Sequence, residues 1–534
     1  MPLHFIPVNF IVQPKSPAKM KKILLAVIFI VSINAVKSQV TFDALQVTPQ
    51  MPRAGQTVHF KYNKKLSPLM DEKKVDIVVY LFSNNGLKVL EPKIKQTGTT
   101  YSASFKVDSN TACIAFGFST NEKKIQDNNA GKGYILPVYT KNDQPVTSYY
   151  VWAGRLYNGY GENLFGMKTI KEKNLSLLEE GLKLNPDALN NQSFFSSYIG
   201  TINSVKKKDG QPIILDILKN IESKSVLTED DYNNLSFWYN RFKMTGIADS
   251  FTAILKEKYP DGYWKKNEMV SAVYKARDGN SKEAAFEGYI KKYPPISKDK
   301  QSINSVKSVI TAAYQKDKNY IAFKKWSKDL PMADKASLYN NTSWYMALDK
   351  ENLEEAKQMS YLANFWAKKE MAIPTEKKPE DITKKQWTAQ RKNQFGMYAD
   401  TYALILFNLK DYKTGFQYAK DAASINEFKN AEYNERYSQL MVKVTAPAKA
   451  KKELENFVRD GVASSKTKEL LKELYVAEKK SDIGYDTYLA KLEAAAKEKR
   501  RAELAKTMIN EVAPKFSLKD LDGNDVSLAS LSGK

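Results

Sequence analysis

The 534 residues are 43% hydrophobic and 12% aromatic, which excludes a wholly disordered chain and supplies cores for about three domains. Basic residues outnumber acidic ones by 83 − 60 = 23. The lysines are nevertheless dispersed beside glutamates, as in Lys451-Lys452-Glu453, the pattern of a solvated surface and not of a nucleic-acid site.

The chain opens with a segment that reads as a leader. Lys21-Lys22 precede an apolar run from Ile23 to Val31, and small and polar residues follow to Gln39. This is the order of a signal peptide over residues 20–38, too short for a comfortable membrane span, with residues 1–19 as an overlong start. The expectation is an exported, periplasmic protein without a stable membrane span. No cysteine stands directly after the apolar run, so a lipid anchor is not expected. An exported chain can hold disulfides, but Cys113 is alone and can form no internal bridge.

Residues 40–150 read as all-β. Runs rich in Val, Ile, Phe, Tyr and Thr fall at 57–63, 76–83, 100–107, 112–119 and 134–140, separated by turn residues such as Asn84-Asn85-Gly86. That spacing predicts an antiparallel sandwich of immunoglobulin-like type. His59, the one histidine beyond the leader, lies in the alternating run Thr57-Val-His-Phe-Lys-Tyr62 and reads as a strand residue. Cys113 reads as a small buried apolar group. With one cysteine and one histidine, a Cys/His zinc site, a Cys-x-x-Cys and a conventional Cys–His nucleophile pair are all excluded.

From about residue 160 to 445 the pattern is helical and repetitive. Lys183-Leu-Asn-Pro186, Lys258-Tyr-Pro260 and Lys292-Tyr-Pro294 each close an amphipathic helix, and 294 − 260 = 34 is the tetratricopeptide period. Asn352-Leu-Glu-Glu-Ala356 opens another helix reaching Ala363. Tyr402-Ala-Leu404, Asp411-Tyr412, Gly415 and Ala422 supply the small and aromatic positions where paired helices interlock. The resemblance to tetratricopeptides is loose, since the first-helix Trp-Leu-Gly signature is mostly absent. Residues 374–387 interrupt the period. Residues 446–511 read as Lys/Glu-rich linker helices, the last presenting Leu489, Leu492, Ala496 and Ala505 as its apolar positions. The 31 tyrosines suit helix faces that pack with one end of the side chain wet.

The last segment, residues 512–534, has the most specific pattern. Pro514 ends the helix before it, Phe516 and Leu518 alternate as a strand, Asp522-Gly523 turns, Val526 begins the return and Ser527 caps a helical turn. Ala513-Pro514, Phe516, Leu518, Asp520, Gly523, Val526, Leu528, Leu531 and Gly533-Lys534 together resemble the opening of the redoxin family. This family comprises thioredoxin-like α/β proteins, including thiol-specific antioxidants and periplasmic disulfide reductases. The order of leader, β domain, helical region and redoxin resembles exported multidomain proteins of Bacteroidetes-type bacteria. The family places its catalytic cysteine at a helix N-terminus after the next strand, where the thiolate is stabilised. No residue here matches that position, so the segment is expected to be a truncated stub, loosely ordered or docked on the preceding helix.

Weaker motifs are read structurally. Gly161-Glu-Asn-Leu-Phe-Gly166-Met167-Lys168 brushes a phosphate loop, but Met167 displaces the lysine and no strand precedes it. Asp127-Asn-Asn-Ala-Gly131 has a calcium-loop flavour without the terminal bidentate glutamate and reads as a hairpin turn. Glu179-Glu180 and Glu354-Glu355 fall on polar helix faces. The expected architecture is multidomain α+β with no catalytic, cofactor or metal residue in this chain. The expected function is that of an exported thiol–disulfide oxidoreductase or antioxidant lacking its cysteine region, partnered by a thiol or disulfide protein. The alternative is a non-enzymatic binding or scaffold protein of the cell envelope.

Overall fold

A computed structural model describes residues 40–120, 125–505 and 515–531. The leader reading at 20–38 lies outside the described residues. The chain divides into two compact units: the first runs to Glu268 and includes Lys377–Trp387, and the second holds Met269–Glu376 and the residues from Thr388. The architecture is mixed, antiparallel sheets first and then a long succession of helices.

Among the described residues, ten strands build the β part: β1 Val40–Thr41, β2 Leu45–Thr48, β3 Thr57–Asn63, β4 Asp76–Ser83, β5 Gly86–Leu90, β6 Lys95–Thr97, β7 Thr100–Lys106, β8 Thr111–Ser119, β9 Gln126–Asp127 and β10 Tyr134–Pro137. One sheet has the order β1-β2-β3-β7-β6 and the other β10-β8-β4-β5, with β9 beside β8. Burial alternates along β3, so Val58, Phe60 and Tyr62 face the core while Thr57, His59 and Lys61 face solvent. Their partners across the core include Val79, Leu81, Ile114, Phe116 and Phe118 of the second sheet. The five expected runs all contain strands; β1, β2, β5, β6 and β9 add short strands that composition did not mark.

The second sheet is covered on both faces, which explains why β8 is apolar nearly throughout. Its other face presents Tyr80, Phe82, Cys113 and Ala115 to Leu156 and Phe165 of the first helical segments and to Met167 just after them. Helices begin at Thr147, and Thr147–Arg155 and Lys171–Leu184 pack together above that face.

Residues 374–387, which break the helical period, contribute an edge cover. Val89 in β5 donates its N–H to the Glu380 carbonyl at 2.7 Å, and the Lys384 N–H meets the Glu91 carboxylate at 2.7 Å. Lys385 pairs with Asp76 at 3.0 Å. An exposed strand edge is thereby capped. The interruption ends at Lys384, where the helix Lys384–Asn408 starts.

Helix boundaries follow local chemistry. Thr228 and Asp231 form a capping box for Glu229–Arg241. Thr245–Lys258 and Gly279–Lys292 both stop at a tyrosine held out of the helical region by the following proline. Glu229–Arg241 and Thr245–Lys258 recur as Tyr263–Lys275 and Gly279–Lys292, so all four boundaries advance by 34 residues. The fully buried Phe286 and Phe323 anchor the second unit's core, and Lys282 reaches back to donate to the carbonyls of Val273 and Tyr274 at 2.9 Å each. Small residues set the helix spacing there: a Cβ on Gly279 would lie 2.3 Å from the Tyr314 ring. In the helix Tyr485–Ala505, Leu492 is buried and Leu489 partly so, while Ala505 is exposed.

Residues 515–531 form a hairpin, β11 Ser517–Lys519 and β12 Asp525–Ser527, paired with Leu518 opposite Val526. Asp520 accepts from the N–H groups of Asp522 and Asn524 at 2.9 and 2.8 Å, and Gly523 takes the positive φ that the turn requires. Ser527 and Ser530 then close one short helical turn. These turns satisfy the local backbone of the segment expected to be loosely ordered or docked. Its apolar side chains, Leu518 and Leu521 above all, remain exposed.

Candidate binding surface

The second unit carries an aromatic surface built across three consecutive helices, Leu353–Ala372, Lys384–Asn408 and Tyr412–Ile425. In the first, Ala356, Met359, Ser360, Ala363, Asn364 and Ala367 face inward. That periodicity turns Tyr361, Leu362 and Phe365 to solvent, each 45–47% exposed. Phe365 stacks on Tyr361 at 6.1 Å between centroids, Tyr361 meets Tyr402 at 6.0 Å, and Tyr402 meets Tyr418 edge-on at 4.7 Å. Two exposed rings thus rest on a floor of buried and half-buried tyrosine.

Lysines rim this surface. The Lys369 ammonium sits 4.7 Å from the centre of the Phe365 ring and makes no ion pair among the described residues. Lys368 lies over Phe395 and pairs with Asp421 at 3.3 Å. Burial pushes the Tyr402 hydroxyl up to about 12, with Tyr418 and Tyr361 adding to it, so the floor is uncharged at neutral pH. Large exposed apolar groups beside a cation without an ion pair, Lys369, are the composition of a protein-recognition surface.

Beneath it the second unit buries charge. Glu370 accepts from the Thr375 N–H at 3.0 Å and pairs with Arg391 at 3.0 Å, and Arg391 also reaches Glu376 at 3.0 Å. Asp400 is 3.9 Å from Arg436, and its Oδ1 has no hydrogen-bond partner. Burial raises the Asp400 carboxyl to about 6; Arg436 opposes the shift while Glu432 and Glu435 add to it. These groups fix helix packing and offer no open site.

The residues singled out in the sequence do not converge. Cys113 is fully buried in β8, and burial pushes its thiol far above the usual range, so it is held as an unreactive thiol. His59 is exposed on β3, on the strand position expected of it. Residues 127–131 form a turn in which Asp127 accepts from the hydroxyls of Tyr62 and Tyr134 at 2.8 Å each, joining the two sheets. That turn packs on the phosphate-loop-like segment: the Lys168 N–H donates to the Gly131 carbonyl at 2.9 Å, and Met167 fills the space beside Gly133. Glu179 and Glu180 are exposed, and Glu355 pairs with Lys324 at 2.6 Å. Among the described residues no group of three acidic, His or Cys side chains could hold a metal ion. No helix among them is long and apolar enough to cross a membrane.

The aromatic surface escaped the sequence reading, although Tyr361, Leu362 and Phe365 stand where a buried stripe would have skipped them. Comparison with known proteins finds no family model that matches the chain and no curated protein that matches it.

Proposed function

We propose that this chain is an exported binding platform whose helical surface docks a partner protein of a thiol–disulfide system. The observation that carries the docking is the lysine-rimmed aromatic surface of Tyr361, Leu362 and Phe365. Its chemistry favours an acidic segment with aromatic or aliphatic anchors, and the surplus of 23 positive charges favours encounter with such a segment.

Several features support the accompanying family readings. Within the two sheets, the order β2-β3-β7-β6 against β10-β8-β4-β5 supports an immunoglobulin-like sandwich with one extra strand, to which the two-residue strands β1 and β9 are added. The 34-residue advance of paired helices agrees with tetratricopeptide-like repeats. The hairpin of residues 515–531 agrees with the strand, turn and return that open a redoxin domain. The catalytic cysteines of that chemistry are not among these 534 residues.

The test is selection of peptides from a random library on the full chain, with a Tyr361→Ser/Phe365→Ser variant in parallel. Acidic peptides bearing aromatic anchors, binding at least tenfold more weakly to the variant, are the expected outcome. Equal affinity for both proteins would refute the assignment of the surface. In an insulin-reduction assay the chain and its Cys113→Ser variant are expected to be equally blank; turnover that depends on Cys113 would overturn the non-catalytic part of the reading.

A further inference from the structure

Two exposed surfaces of the second unit match one another in chemistry. The first is the hairpin of residues 515–531. Leu518 stands opposite Val526, and the Phe516 carbonyl accepts from the Leu528 N–H at 3.2 Å. Strand alternation therefore puts Phe516, Leu518, Val526 and Leu528 on one face of the ribbon, and Ser517, Lys519, Asp525 and Ser527 on the other. On the polar face Lys519 pairs with Asp525 at 2.9 Å. At the tip Leu521 is fully exposed between Asp520 and Asp522, and neither carboxylate has an ion pair among the described residues. A two-stranded ribbon is marginal in water until something packs on its apolar face.

The second surface is that of Tyr361, Leu362 and Phe365, with Lys369 over the Phe365 ring. The hairpin supplies what this surface favours, an acidic tip with an aliphatic anchor beside an apolar face. Asp520 and Asp522 would meet the lysine rim, so charge assists the contact. Both surfaces belong to the second unit, yet a single chain leaves both open: Leu518 is 65% exposed and Phe365 47%. The occupant that fits both observations is a second copy. Hairpin against hairpin would also bury apolar faces, but it would bring no unpaired cation to either acidic tip and would leave the aromatic surface bare.

We propose that the hairpin of one copy docks on the surface of Tyr361, Leu362 and Phe365 of a second copy. A two-fold axis makes the exchange mutual, so two identical contacts form and the pair closes. The proposal rests on the reading of that surface as a docking face and adds a regulator to it. In the pair the surface is covered by the chain's own acidic segment, which an outside partner must displace.

The experiment is analytical sedimentation of the full chain across about 1–100 μM, the range expected of a contact this small. Wild type is expected to pass from monomer to dimer. Phe516→Ser/Leu518→Ser and Tyr361→Ser/Phe365→Ser are each expected to associate at least tenfold more weakly. An equimolar mixture of the two variants should regain association, because one intact contact survives between unlike copies. Amide exchange in residues 515–531 should slow in the dimer. A wild type that stays monomeric throughout would overturn the proposal. So would a mixture that recovers nothing, or a surface variant that dimerises like wild type, which is the behaviour of hairpin against hairpin. Library peptides that bind wild type and surface variant equally would sink the docking reading itself. A monomeric wild type that still selects peptides would sink this proposal alone.

Discussion

Replacing Asp400 by Asn removes a carboxylate that the second unit buries at a cost. The folded carboxyl titrates at about 6 against an ordinary value of 3.8, mainly because burial penalises its charged form. A group whose folded value is raised holds its proton more tightly folded than unfolded. Its stabilising contribution is therefore complete below about pH 4 and is withdrawn as pH rises toward 6. The gap between 3.8 and about 6 is worth about 3 kcal/mol. Asn cannot titrate, so the variant lacks this pH-dependent term. The variant should gain on the wild type between pH 4 and 6 and hold that advantage at pH 7–8. Hydrogen exchange of peptides from Lys384–Asn408, corrected for intrinsic rates, measures the opening free energy locally. A single global transition is not defined for a chain of two units. A wild-type-to-variant difference constant from pH 4 to 8 would refute the reasoning. A wild type that gains with rising pH would do so as well, since that is the behaviour of a carboxylate stabilised by its Arg436 pairing.

The other predictions concern packing and access. Arg391→Met should destabilise the second unit by about 3–5 kcal/mol, because Glu370 would keep its charge in a buried setting without its partner; urea titration followed by exchange in Leu353–Ala372 measures this. Gly279→Ala should cost about 1–3 kcal/mol, since the added methyl collides with the Tyr314 ring; a shift in exchange confined to the neighbouring helices is expected. Cys113 should react with an aromatic disulfide reagent only at the rate of unfolding, and rapid labelling of the native chain would contradict its burial. Tyr361→Ser/Phe365→Ser should leave hydrogen exchange in Leu353–Ala372 nearly unchanged, as both rings are half exposed.

The β part was legible in the sequence where side chains alternate or run apolar. Residues 57–63 and 76–83 coincide with β3 and β4 because strong β formers there end at turn residues. Gly86–Leu90 and Lys95–Thr97 escaped because their pairing is decided by neighbours and by the turn at Asn84-Asn85, not by their own composition. The helix Thr147–Arg155 was hidden by Thr, Tyr and Val, residues that favour strands until packing against β8 overrides them. The 34-residue recurrence was visible from two prolines alone, since a proline fixes its predecessor's backbone whatever the tertiary context. The aromatic surface was not legible, because tyrosine serves equally in helix interfaces and on exposed faces. Only the inward stripe of Ala356, Met359, Ala363 and Ala367 decides which tyrosines are left outside.

The cover over β5 sets a timetable. Lys384 meets Glu91 across 293 positions of chain, and Lys385 meets Asp76 across 309. A ribosome adding 5–20 residues per second needs roughly 15–60 s to span that interval. The sandwich core is complete in sequence well before then, so its edge strand waits bare while the intervening helices are made. During that interval the nascent first unit presents an unpaired β edge, available to a chaperone or to another copy of itself. Deleting residues 377–383 would make that temporary state permanent, and the penalty should appear in yield and aggregation before it appears in any binding assay.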